Sequence, residues 1–150
     1  MKKSSLVVVT DGAHARVLEQ KSKIDPLHQI QNLTHTHEAT HEHGADKPGR
    51  VFERGPTATR HAYEPHADWH IRQKEVFICD LTQAIIKKHE EEKYSQIYFI
   101  CPPAIMGIIR ASIEPYQRNR PLKDKLNIIE ITKDLTSKTI KDIAEYVAAY

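Results

Sequence analysis

The sequence predicts a single α/β domain on a mixed five-stranded sheet, with elements in the order β-β-β-α-β-α-β-α. Three observations lead there. Strand-like runs at Leu6–Val9, Ala13–Leu18 and Leu27–Leu33 are separated by Asp11-Gly12 and Asp25-Pro26, the punctuation of an antiparallel meander. The remainder alternates helical and strand-like segments, which favours parallel strands joined by helices on the faces of the sheet. At 150 residues the chain has the length of one domain and can bury a core.

Leu6-Val7-Val8-Val9 is continuously apolar, as expected of a buried strand, and stops at Thr10-Asp11-Gly12. Gly12 supplies the positive φ that a tight turn needs, and Ala13–Leu18 alternates back as the return strand. From Leu27 to Leu33, Leu27, Gln29, Gln31 and Leu33 alternate with His28, Ile30 and Asn32, so the third strand has poorly distinguished faces. A long helix is expected from Pro65 to Lys93. Trp69, Val76, Phe77, Leu81, Ala84, Ile85 and Lys88 recur at helical spacing, and Ile71, Ile78 and Ile86 widen the apolar face. Proline is favourable in a first helical turn. Lys87-Lys88-His89 suits the negative end of the helix dipole, whereas Glu90-Glu91-Glu92 opposes it. Gln96–Ile100 reads as a buried strand stopped by Pro102-Pro103, and Ala104–Ile113 as a short apolar helix ended before Pro115. Lys125–Ile131 is the last strand. Thr136 or Ser137 is the expected N-cap of a final helix, Lys138–Ala149, packing Ile140, Ile143, Ala144 and Val147.

The residues are 39% hydrophobic and 28% charged, and the formal net charge is +2 with histidines neutral. That charge is too small to attract nucleic acid through the bulk field alone. Two cysteines, Cys79 and Cys101, make neither a disulfide framework nor a Cys-x-x-Cys, which suits a reducing cytoplasmic compartment. Leu6–Val9 is too short for a signal-peptide core, and no segment could span a bilayer. A cytoplasmic protein without a membrane partner is expected.

The polar stretch from Thr34 to about His66 stands out. Loops of some thirty residues are uncommon in a domain of this size and are usually functional or disordered. Seven of the ten histidines fall between His35 and His70. His35, His37, His41 and His43 alternate in two pairs; in an extended segment each pair shares a face and could chelate zinc, nickel or copper. No cysteine lies among them and the spacing matches no closed zinc module, so plain polar loop composition stands beside metal binding. Lys47, Arg50, Arg54, Arg60 and His61 form a local basic set, with Gly49 and Gly55 allowing close approach of the backbone. Guanidinium forks and free N–H groups suit phosphate or an RNA backbone. The alternative is a solvated loop, because Glu38, Glu42, Asp46, Glu53 and Glu64 nearly balance the charge.

The strand and helix order is that of ribonuclease-H-like folds. A nuclease there needs converging carboxylates for paired metal ions. Asp11 ends the first strand, and Glu75 or Asp80 on the long helix is a conceivable second ligand. The strand ending at Ile100 offers only Cys101-Pro102-Pro103, so Asp11 reads better as a turn residue, with Arg16 a secondary ligand-binding candidate beside it. No Walker A pattern and no Gly-x-Gly-x-x-Gly occurs. Cys79 reads as inert core. Cys101 lies at a strand's carboxyl end, where α/β sheets bind ligands, yet a structural cysteine is the better reading.

Val7–Leu18, with Thr10-Asp11-Gly12-Ala13-His14-Ala15-Arg16 at its centre, resembles the opening of the bacterial host attachment protein family. Asp46-Lys47-Pro48-Gly49-Arg50-Val51-Phe52 and Arg60-His61-Ala62-Tyr63-Glu64-Pro65 resemble its central signature. Cys101-Pro102-Pro103, Met106–Arg110 and Glu130–Thr136 resemble its second half. That family is similar in turn to the middle domain of archaeal and eukaryotic peptide-chain release factors and of Pelota, whose long loop carries Gly-Gly-Gln. Here the corresponding stretch is Arg54-Gly55-Pro56-Thr57-Ala58-Thr59, and no Gly-Gly-Gln occurs. The resemblance therefore implies ribosome or tRNA binding by the loop rather than peptide release.

Three functions follow as expectations. The first is a non-catalytic ribosome- or RNA-associated protein that presents Lys47, Gly49, Arg50, Arg54, Arg60 and His61 to phosphate, with no required cofactor. The second is a protein–protein interaction factor needed for host-cell or surface attachment. The third is a metal-dependent hydrolase using Asp11, His61 or zinc or nickel at the histidine-rich loop. The final helix, ending Tyr146-Val147-Ala148-Ala149-Tyr150, could also pack on a second copy as a homodimer.

Overall fold

Six consecutive buried residues, Ser5–Thr10, form β1, the central strand. The computed structural model describes residues 4–35 and 56–150, and of residues 56–68 the backbone alone. β2 (His14–Gln20) returns antiparallel to β1, and β3 (His28–Thr34) returns antiparallel to β2. A long helix α1 (Pro56–Glu92) leads to β4 (Gln96–Ile100), which pairs parallel with β1 on its other side. Helix α2 (Pro103–Arg118), a short 3-10 turn (Leu122–Asp124) and β5 (Ile128–Ile131) follow, and α3 (Ile140–Ala148) ends the fold. The sheet order is β3-β2-β1-β4-β5, a mixed five-stranded sheet as expected.

Alternation along β1 assigns its two faces. Leu6 and Val8, with Val17, Ile97 and Phe99, pack under Ile78, Leu81 and Ile85 of α1 and Ile105, Met106, Ile109 and Ile113 of α2. Val7 and Val9, with Leu18, Tyr98, Ile100 and Ile131, pack under Ile143 and Val147 of α3 and under Leu27 and Leu135. The weak face pattern of the third strand has its counterpart in β3, a mostly exposed edge strand.

Beyond shifts of one or two residues in the first three strands, four boundaries differ from the sequence reading. The long helix begins at Pro56, not Pro65, so Arg60 and His61 lie in the helix rather than in a loop. Proline is accepted at a first helical position, and a second one further in marked the wrong start. Ile71 shares a helix face with Ile78 but is 57% exposed, because α1 meets the end of the sheet only near Lys74, whose side chain flanks Gly12. Val76 points outward, two residues from Ile78. Helix α2 continues past Pro115 to Arg118. The residue four before Pro115, Ala111, is exposed, so its freed carbonyl lies on the solvent side. Buried Ile113 and the Tyr116 hydroxyl, 3.0 Å from Glu90 Oε1, hold that last turn. The last strand starts at Ile128 rather than Lys125, and α3 starts at Ile140, capped by Thr139, whose Oγ1 accepts the Asp142 N–H at 3.2 Å.

The acidic end of α1 is neutralised by partners. Lys88 Nζ lies 2.6 Å from Glu92 Oε1, Arg120 Nη2 2.7 Å from Glu90 Oε1, and the Tyr94 hydroxyl sits between Glu19 and Glu92. Lys93 then takes a left-handed φ of 56° and donates its N–H to the His89 carbonyl, closing the helix.

Candidate functional site

The parallel strands β1, β4 and β5 bring their carboxyl ends together at Asp11, Cys101 and the segment after Ile131. This is the end at which open α/β sheets bind ligands. β2 begins here with His14 and Arg16, and β3 ends here at Thr34. The His35 N–H donates to the Ala13 carbonyl at 2.6 Å, and the His35 ring lies 5.7 Å from that of Phe77. The chain thus enters the long polar segment from this end of the sheet.

Asp11 is committed to the turn. Its Oδ1 accepts the N–H groups of Ala13 at 2.9 Å and His14 at 2.8 Å, and its Oδ2 lies 3.6 Å from His14 Nδ1 and 3.5 Å from Thr136 Oγ1. Partial burial raises the pKa of Asp11, but the two backbone N–H groups and His14 outweigh it and hold the carboxyl below its ordinary value. Gly12, at φ +94°, passes so close to α2 and α1 that a Cβ there would meet Ile105 Cδ1 at 2.8 Å and Lys74 Cδ at 3.0 Å.

Arg16 is likewise engaged. Its Nη1 donates to the carbonyls of Thr136 at 3.2 Å and Lys138 at 2.5 Å, and its Nε to Gln29 Oε1 at 2.8 Å. It fastens the β5–α3 connection to the meander. Thr136 Oγ1 bonds Asp134 Oδ1 at 2.6 Å, which closes that connection locally. Sequence reading did not find this partnership, because the acceptors are backbone carbonyls some 120 residues away and carry no residue-type signal.

Cys101 is fully buried beneath this end, and its thiol lies 4.0 Å from Met106 Sδ. Burial, with the Glu130 carboxylate nearby, pushes the thiol up to about 12, so it is not an available nucleophile. Cys79 is half-buried, with Sγ 3.1 Å from Ser112 Oγ, joining α1 to α2. Neither Glu75 nor Asp80 joins Asp11: among the described residues no three His, Cys, Asp or Glu side chains stand close enough to hold a metal ion.

Lys47, Gly49, Arg50 and Arg54 of the basic set, and His37, His41 and His43 of the histidine set, lie outside the described residues. Arg60 and His61 fall within the opening turns of α1, and His35 on the sheet end. Within the described residues no helix is long and apolar enough to cross a membrane.

No curated protein matches the chain. A family described as "Protein required for attachment to host cells" matches residues 6–147, from β1 through α3. The match speaks to this family alone and leaves the likeness to release factors and Pelota as a resemblance. It covers nearly the whole length, including the Asp11–Arg16 turn and the Cys101-Pro102-Pro103 corner, and the chain belongs to the family of proteins required for attachment to host cells.

Proposed function

We propose that this protein is a non-catalytic interaction factor in attachment to a host cell or surface, acting inside the cell through protein partners and requiring no cofactor. The family match over residues 6–147 carries this reading. The geometry of the sheet end is consistent with it. Asp11 and Arg16 are engaged in holding turns together, and Cys101 is buried with a raised pKa. The best-placed chemical groups there are used by the fold itself.

Ribosome, tRNA or RNA association through Lys47, Arg50, Arg54, Arg60 and His61 receives no support from the family match. It is the rival against which the test is set. Source cells lacking the gene are complemented with the wild-type chain or with an Arg50→Ala/Arg54→Ala/Arg60→Ala chain, and adhering cells are counted. Partners are crosslinked in parallel, with and without ribonuclease. Lost adhesion restored by the wild type, with crosslinks that survive ribonuclease, supports the proposal. Undiminished adhesion without the gene, or crosslinks that vanish with ribonuclease, overturns it.

A further inference from the structure

Ser5, Gln20 and Gln96 stand in direct register across β1, β2 and β4. They lie two residues beyond the apolar row of Val7, Leu18 and Tyr98, so strand alternation puts all three on the α3 face. This is the opposite end of the sheet from Asp11. The three polar side chains line a cleft of about 320 Å³. Leu27, Val147 and Ala148 contribute apolar wall, and Lys23 lies on its border. The volume is at the lower end of the range for small-molecule sites.

The polar groups of the floor keep hydrogen-bonding capacity open to the cleft. Ser5 is only 7% exposed, yet its hydroxyl has no hydrogen-bond partner among the described residues. The hydroxyl opens to the cleft, since among the described residues the enclosed side-chain polar atom without a partner is His89 Nδ1. Gln96 Oε1 accepts the Tyr98 hydroxyl at 3.1 Å, which leaves the Gln96 amide N–H groups to donate. Gln20 Nε2 donates to the Asp25 carbonyl at 2.7 Å, which leaves the Gln20 carbonyl oxygen to accept. Lys23 is the one charged side chain lining the cleft, and it forms no ion pair among the described residues.

We infer that this cleft between the polar row Ser5–Gln20–Gln96 and α3 binds a small amphipathic carboxylate. Its apolar body lies against Leu27 and Val147, and its carboxylate meets the Ser5 and Gln96 donors with Lys23 supplying the counter-charge. A single ammonium matches a monoanion; a doubly charged phosphate would leave one charge uncompensated. The inference stands independently of the attachment proposal.

The test titrates the whole chain with octanoate and with its neutral amide, octanamide, followed by amide NMR. Octanoate is expected to give saturable shifts at Ser5, Gln20 and Gln96, with a Kd of about 1 mM or tighter. Lys23→Ala, at an exposed turn position, is expected to weaken octanoate about tenfold and leave octanamide unchanged. Ala148→Trp, at the exposed rim, is expected to block both. Absence of saturable shifts at the polar row up to about 10 mM octanoate overturns the inference. So does equal octanoate affinity in the wild type and Lys23→Ala, or undiminished binding by a folded Ala148→Trp chain.

Discussion

The two faces of the sheet share their strands but differ in cover. One carries α1 and α2, of 37 and 16 residues; the other carries α3, of nine, with the segments around Leu27 and Leu135. Both faces of β1 are fully buried even so. The difference appears at the margin. Under the short helix the apolar row of Leu18, Val7 and Tyr98 gives way to the polar row of Gln20, Ser5 and Gln96, and a cleft opens. A nine-residue helix spans about 14 Å and covers less of a strand than the helices opposite.

The comparison can be broken by cutting into each face. Phe99→Ala, beneath α1 and α2, should cost about 3–5 kcal/mol, read as a lower urea midpoint at unchanged slope. Ile143→Ala, on the buried side of α3, should cost about 2 kcal/mol, at the low end for such truncations, because a short helix can settle into the space. Equal losses would show that the two faces are packed alike. Thr139→Ala removes the N-cap of α3 and should cost about 1 kcal/mol, with hydrogen exchange in α3 rising before exchange in α1. Uniform exchange would show that α3 does not open separately.

The smallest effect expected is with pH. Hydrogen bonds from Arg110 hold Glu130 below its ordinary value of 4.5, and Lys88 with Tyr94 holds Glu92 down to about 2. A lowered pKa in the folded state means that the unfolded chain binds more protons as the pH drops below the ordinary value. The stabilisation is therefore complete above that value and is lost as pH falls toward about 2. Glu130→Gln should flatten the fall in melting temperature as the pH drops below the ordinary carboxylate value; an unchanged slope would place the acid sensitivity elsewhere.

Local chemistry was the legible part of this fold. Asp11-Gly12 gave the turn, and the run Leu6–Val9 gave a strand buried on both sides. The end of Gln96–Ile100 was readable to the residue, because Pro102 and Pro103 follow just beyond Cys101. Proline misled where context outweighed it. Pro65 lies inside α1, and Pro115 interrupts neither the Ile113 contact nor the last turn of α2. The geometry around Arg16 was illegible because its main partners are distant carbonyls. The polar row was hidden for another reason: Ser5, Gln20 and Gln96 are unremarkable singly, and only the register aligns them.

The parallel pairing of β1 with β4 also bears on how the chain folds. β1, β2 and β3 are neighbours in sequence and can zip together over short separations, whereas β4 must return across α1 and everything before it. Non-local pairing slows folding, because the ordering cost precedes the reward. Yet doubling the length of such an interval adds only about 0.6 kcal/mol to closure. The central seam of the sheet is therefore expected to form after the meander and to set the pace of folding, while a longer connection between β1 and β4 would add little to its cost.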